Sequence, residues 1–434
     1  MSLRKQLCIL LLVLLPQLAW AQAGQVEIVY SGNIDGELEP CGCSVEGDLG
    51  GILRHSSTLK KLRQQNPDLI ALSSGGLIVS MVPQDKLTGE YILKGFAALQ
   101  YDAIGLQWSD LAYGDDFVLR DKLNWVSSNR MDQTFAAQRI VEHGNHKLTF
   151  FSWLDPAASP VAAMQIEHNG QTRNDLGALK DALAKAQQDG LTILSTTLSL
   201  DQAQTLPLQN VDVLLIRSAY EVYGEPQRLG DTLVLQPGSR GMRLGRVSLS
   251  LNEAGRIADF KHEVIPMPPE IENDPDLSAW YAEYNEQVKQ AYLQRVELRK
   301  ARETGQSPFV GEAVCQSCHQ EEHDIWRTTL HSKAFSKLEN VNKAFDPACI
   351  KCHTVGFEQV GGFIDFDATP HLMNVQCESC HGAGREHVEA AGFKSSRNHS
   401  WQPEKICGQC HVQKHSPSFD FKTYWPRIKH SVIK

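Results

Sequence analysis

Apolar and polar positions alternate on two different scales along this chain. Between residues 25 and 265, short apolar, β-branched runs at 26–30, 69–72, 148–151, 191–194, 211–215, 233–235 and 247–251 predict buried strands. Stretches with helical spacing, such as 51–64 and 175–188, lie between them. That order predicts an α/β layered sandwich over 25–265. Four prolines and several acids from Pro266 to Pro275 then read as a linker. Asp276 follows, with a carboxylate able to accept from the free amides of a first helical turn. Trp280, Tyr284, Val288, Tyr292 and Val296 recur every fourth position, an apolar stripe suited to packing one domain on another. The chain thus divides into a front domain at 25–265, a linker and helix at 266–305, and a C-terminal domain at 306–434.

The first 21 residues have their own pattern: basic Arg4 and Lys5, an apolar run at 7–15, then Ala19, Trp20 and Ala21. This reads as a secretory signal peptide, because the apolar run is too short to cross a bilayer. Cys8 lies inside the run, not after a cleavage point, which argues against a lipid anchor. The expectation is a mature chain with no membrane span, in the periplasm or outside the cell.

Length and charge narrow the field. At 434 residues the chain exceeds the usual single-domain size. Its 42% hydrophobic and 21% charged composition excludes collagen-like, disordered and polytopic membrane proteins. A net charge of −9 gives no overall attraction for nucleic acid.

The averages conceal where Cys and His fall: eight of 11 Cys and 11 of 16 His lie between Cys315 and His430. Four times, two Cys stand three apart with His directly after: Cys315, Cys318, His319; Cys349, Cys352, His353; Cys377, Cys380, His381; and Cys407, Cys410, His411. Given a first Cys, chance would supply the Cys and His that follow roughly once in a thousand trials. Disulfide frameworks and zinc ribbons also use Cys pairs, but neither explains the adjacent His. The spacing lets two thiols add to the vinyl groups of one haem while the imidazole reaches its iron, the c-type attachment pattern. The cofactor expectation is therefore four covalently attached haems c. So little polypeptide cannot enclose four haems as guests, so the haems are expected to form the core of a mainly α domain, unfolded without them.

Each iron has a second axial position, and His323, His331, His371, His387, His399, His415 and His430 compete for four such places. Two imidazoles suit an iron to electron transfer, whereas an open position permits chemistry at the metal. Residues 306–434 resemble the tetrahaem cytochrome c-554 family. The resemblance rests on Trp326 with Leu330, His331 and Ser332, on the run from Cys377 through Gly382, Gly384 and His387, and on the terminal Tyr424, Trp425, Ile428 and His430. By position it implies that His331 caps the iron of His411, His387 that of His319, and His430 that of His381. It leaves the His353 haem without a clear partner, a place His371 can fill.

The front domain resembles the calcineurin-like metallophosphoesterases of the exported 5'-nucleotidase group. The landmarks are Ser31 to Gly36 after the first strand, Ser73 to Gly76 after the second, Tyr101 to Gly105 with Tyr113 and Gly114, and Asp212 ahead of Gln236 to Ser239. The family's two-metal chemistry requires Asp, His and Asn ligands. Those places hold Asn33, Asp35, Gly76, Trp108, Thr197, Ser218 and Tyr220, of which only Asn33 and Asp35 offer a ligand oxygen. The expectation is a retained metallophosphoesterase-like fold without intact metal ligands and without phosphatase activity. Cys41 and Cys43 are the one Cys pair outside the C-terminal domain. They read as a strained local disulfide or buried thiols, with a redox or metal site as the alternative.

The functional reading is an exported tetrahaem c-type cytochrome that carries electrons between redox partner proteins. The alternative is a multihaem oxidoreductase whose open His353 haem acts on a small nitrogen or sulfur compound. A third reading makes the front domain a ligand-binding scaffold wired by the haems.

Overall fold

The structure, a computed structural model, describes residues 24–40, 48–160, 172–216, 223–303, 305–396, 401–412 and 415–430. Residues 1–23, which include the expected signal peptide, and Cys41, Cys43, Ser218, Tyr220 and His399 lie outside the described residues.

Twelve strands are present among the described residues: β1 (Gln25–Ser31), β2 (Ile70–Ser73), β3 (Ala103–Gly105), β4 (Trp125–Val126), β5 (Arg139–His143), β6 (His146–Trp153), β7 (Leu191–Thr196), β8 (Val213–Ile216), β9 (Gly224–Leu229), β10 (Thr232–Gln236), β11 (Arg243–Leu251) and β12 (Ile257–Pro266). They form two six-stranded sheets, ordered β12-β11-β1-β2-β3-β4 and β5-β6-β7-β8-β10-β9. The sheets meet face to face. Val26, Ile28 and Tyr30 of β1 point into the space between them with Phe150, Ile193, Leu215 and Leu233 of the other sheet. Val29, between those β1 residues, points the other way.

Both faces of each sheet are covered, which is why the central strands read as continuous apolar runs without alternation. On the first sheet lie α1 (Ile52–Gln65) and α2 (Asp85–Leu99), burying Ile52, Leu59, Leu62, Ile92 and Phe96. On the second lies α3 (Gly177–Asp189), burying Leu179, Leu183 and Ala186. Gly245, opposite Tyr30 in the β1–β11 ladder, has no alternative: an added Cβ would stand 2.2 Å from the Tyr30 ring.

The stretch read as a linker is docked along its length. Pro266 ends β12, Met267 is buried, and Asp274 accepts from Ser56 Oγ and from Lys60 Nζ, the latter at 2.7 to 2.9 Å. Asp274, not Asp276, is the capping residue, its carboxylate accepting from the Asp276 amide at 3.1 Å. Helix α4 (Ser278–Arg302) then carries the apolar stripe across both halves. Tyr284 and Val288 join the front core, while Tyr292 and Val296 join a separate core in the C-terminal part. Each buried side chain contributes on the order of 1.5 to 3 kcal/mol. One helix therefore fastens the two parts together.

Beyond α4 the chain forms only short helices: α5 (Glu312–Gln316), α6 (Gln320–Thr328), α7 (Ala334–Asn340), α8 (Pro347–His353), α9 (Cys377–His381), α10 (Arg385–Glu389), α11 (Pro403–Cys407) and α12 (Phe421–Tyr424). Contrary to the expectation of a core made of cofactor alone, residues 309–372 bury Phe309, Phe335, Leu338, Ile350, Phe363 and Leu372 against α4. The expectation fits the remainder better: among the described residues after Leu372, no apolar side chain is buried. Instead the buried Glu378 carboxylate ties that segment back, accepting from the amides of Val310, Gly311 and Gly384 at 2.7 to 3.1 Å.

Candidate functional site

Each Cys/Cys/His motif sits on a helical turn. The amide of His319 donates to the Cys315 carbonyl at 3.0 Å and that of His411 to the Cys407 carbonyl at 2.8 Å, while α8 and α9 contain the other two motifs entirely. Residues i, i+3 and i+4 share one face of a helix, so each turn presents two thiols and an imidazole in one direction. None of the eight cysteines is in a disulfide.

The motifs are interleaved in space. The Cys315 thiol lies beside that of Cys377, and the Cys352 thiol beside that of Cys410. Cys407 lies near Cys380, the helices that carry them being in contact. Read through these neighbours, the motifs run first, third, fourth, second. The contact with Cys410 lowers the Cys352 thiol to about 7, and burial raises that of Cys380 to about 11.

Three of the four motif histidines meet a second imidazole from elsewhere in the chain. Ring centres are 6.1 Å apart for His319 and His387, 6.1 Å for His331 and His411, and 5.8 Å for His381 and His430. That spacing accommodates one metal ion with a bond of about 2 Å to each ring. Burial holds His331, His353, His381 and His411 below the usual imidazole range. For His331 and His381, neighbouring imidazoles add to the effect. The neutral ring is the form that ligates metal. His353 Nδ1 and His387 Nδ1 each face a carbonyl at 2.6 Å, of Ala334 and Lys394, and His411 Nδ1 meets Ser416 Oγ at 3.0 Å. Such contacts fix ring orientation and leave Nε2 for the metal.

His353 differs from the other three. Among the described residues no second imidazole makes ring contact with it, and His371 is exposed. The structure does not bring His371 to His353. His323 is buried, but its Nε2 pairs with the Glu312 carboxylate.

Asn33 and Asp35, the two possible ligand residues named from the sequence, lie just beyond the end of β1. Asn33 and Gln107 exchange amide hydrogen bonds at 2.8 and 3.3 Å, and Asn33 also donates to Asp35 at 3.1 Å. Trp108 turns away, its indole donating to the Asp155 carbonyl at 2.7 Å. Gln107, one position before the residue singled out in the sequence, is the one that faces Asn33. Gly76 has φ +68°, and a Cβ there would come within 2.5 Å of the Asn33 amide. The buried Asp110 carboxylate holds this loop by accepting from the amides of Gly76, Leu77, Ile78 and Gln107, and burial raises it to about 6. Among the described residues no group of three or more His, Cys, Asp or Glu is arranged to hold a bare metal ion.

Comparison with known proteins agrees with both parts. Residues 314–382 match the family model described as cytochrome c554 and c-prime. That segment contains three of the four motifs. Over that segment the chain is similar to multihaem c-type cytochromes. Cytochrome c-554 of Nitrosomonas europaea is 34% identical over a 137-residue alignment covering 24% of this chain and 58% of that protein. The chain therefore spans somewhat more than half the length of this relative.

Among solved structures, a 5'-nucleotidase precursor from Thermus thermophilus superposes with a TM-score of 0.53 at 17% identity, covering 62% of this chain and 60% of its own. The sulfate thiohydrolase SoxB of Thermus thermophilus gives 0.51 at 17% identity, covering 60% of each chain. The front part has the 5'-nucleotidase type of metallophosphoesterase fold. Among the described residues no helix is long and apolar enough to cross a membrane.

Proposed function

We propose that this protein is an exported tetrahaem c-type cytochrome that carries electrons between redox partner proteins. The observation that carries the reading is the set of three imidazole pairs at about 6 Å, each joining a motif histidine to one distant in sequence. Cys315, Cys318 and His319 would hold one haem with His387; Cys377, Cys380 and His381 a second with His430; Cys407, Cys410 and His411 a third with His331. Cys349, Cys352 and His353 would hold the fourth. Haem supplies one-electron chemistry at iron, and the thioether bonds keep it attached in an exported protein. The polypeptide aligns neutral imidazoles, fixes their Nδ1 atoms and sets neighbouring motifs side by side for transfer along the line. The leader pattern at residues 1–21 supports export.

A second reading follows from His353. Among the described residues no second imidazole meets the His353 ring, so a haem held there would offer an accessible iron, which favours a multihaem oxidoreductase acting on a small nitrogen or sulfur compound at that haem. The front part would serve as a scaffold, because the paired amides of Asn33 and Gln107 supply no metal-binding charge. We expect no metal-dependent turnover of nucleotides or phosphate esters by the purified protein. Turnover would refute the scaffold role. The first experiment is the mass and visible spectrum of the protein from a host competent in cytochrome maturation. A mass increased by four haems with a Soret band supports the proposal, and the bare polypeptide mass ends it.

A further inference from the structure

The front part touches the C-terminal part beside the second motif through charged groups as well as through α4. Lys343 Nζ donates to the Glu39 carboxylate and, at 2.6 Å, to Asn285 Oδ1. The other Glu39 oxygen accepts from the Tyr281 hydroxyl. The Lys343 side chain is 12% exposed, with its ammonium 5.5 and 5.9 Å from the Tyr281 and Tyr284 ring centres. Two residues on, Phe345 packs against both the front core and the core that includes Cys349. Next comes Asp346, whose Oδ1 accepts from the Ala348 amide at 3.0 Å, capping α8, and from Gln84 Nε2 of the front part at 3.2 Å. Helix α8 carries Cys349, Cys352 and His353.

Adhesion alone does not call for this arrangement. Tyr284, Val288, Tyr292 and Val296 already join the two cores, and withdrawing an ion pair from water costs much of what its attraction returns. What the pair supplies is two opposite charges, one from each part, held in a region of reduced dielectric beside one motif. A cation there disfavours loss of an electron from a nearby iron, and an anion favours it.

We propose that Glu39 and Lys343 are an electrostatic tuning pair through which the front part sets the reduction potential of the haem held by Cys349, Cys352 and His353. The proposal rests on the haem reading above. Its test uses the full-length haem-loaded protein in five forms: wild type, Glu39→Gln, Lys343→Met, the double variant and Lys343→Arg. Mass first counts the haems, and absence of haem would overturn both readings together. Spectroelectrochemical titration then follows each haem, with the open-faced one marked by its high-spin signal.

Glu39→Gln is expected to raise the midpoint of that haem and Lys343→Met to lower it. Each change should be about a tenfold change in the reduced-to-oxidised ratio at fixed potential, about 59 mV for one electron. The double variant and Lys343→Arg should return close to wild type, and the other haems should not move. Equal shifts in all haems, shifts of the same sign in both single variants, or no shift would overturn the tuning role while leaving the haem reading intact. Shifts of the same sign would mark the pair as packing only.

Discussion

The number of irons open to an added ligand follows from counting imidazoles. Among the described residues, four motif histidines and three imidazole pairs leave one iron without a second ring, so the reduced wild-type protein should bind one carbon monoxide per chain. Removing one distal ring opens one further iron. His387→Ala should bind two equivalents, His430→Ala two, and the double variant three. His371→Ala should remain at one, because His371 is exposed and makes no ring contact with His353. The assay is an optical titration of dithionite-reduced protein with carbon monoxide, normalised to haem content, with electron paramagnetic resonance of the oxidised form as a second count of high-spin iron. A wild-type stoichiometry of zero together with a gain in His371→Ala would show that His371 closes the His353 iron and would refute the assignment. A stoichiometry of two or more in the wild type would refute the pairing itself.

Three further outcomes follow. Produced without haem, the chain should be cleaved first by a protease between residues 377 and 430, where the described residues bury no apolar side chain, while a fragment ending near 372 persists; uniform digestion would contradict this. Ile350→Ala removes the fully buried anchor of α8 and should cost about 2 to 5 kcal/mol in denaturant unfolding of the core around 309–372, and a loss below about 1 kcal/mol would show that the helix is held by other means. Asp110 has a folded-state value of about 6, above its ordinary 3.8, so the native state binds the extra proton. Its contribution to stability therefore declines as pH rises from about 4 to about 6. The melting temperature of wild type relative to Asp110→Asn should fall across that window, and a constant difference would remove burial as the cause.

The sequence made the central strands legible because β1, β2, β6, β7, β8 and β10 are largely buried on both faces and so read as apolar runs, while β11 alternates buried Val247 and Leu249 with half-exposed Arg246, Ser248 and Ser250. It did not reveal β3 and β4, which are three and two residues long and too short for any period. Nor did it reveal β9 and β12, edge strands whose exposed polar positions resemble loop. The helical stripe from Trp280 to Val296 was readable from its fourfold spacing, but its cap was displaced, because Asp274 gains Ser56 and Lys60 as partners through tertiary contact that spacing cannot show. The four motifs were legible because their chemistry is local, two thiols and an imidazole on one turn. Gln107 was missed in favour of Trp108 because a shift of one residue after β3 exchanges the side chain facing Asn33 for one facing away. The buried core of residues 309–372 was missed because its apolar residues are scattered singly among the motifs, with Phe309, Phe335, Ile350 and Phe363 brought together only by the fold.

The retained front fold has a physical rationale in where its loops emerge. Asn33 and Gly76, at places where the metal-dependent family needs ligands, follow β1 and β2. Glu39 and Gln84, which reach Lys343 and Asp346 beside the second motif, stand farther along the same two connections. In open parallel sheets the loops beyond the carboxyl ends of strands are where the scaffold is rigid and side chains are free to serve a ligand. The neutral pairing of Asn33 with Gln107 and the clamping of residues 76–78 by Asp110 stiffen both connections and so position the rest of each loop. The same strand ends then hold charges against the helix that carries His353. On the tuning proposal, the α/β sandwich is the frame that holds Glu39 and Gln84 at these positions.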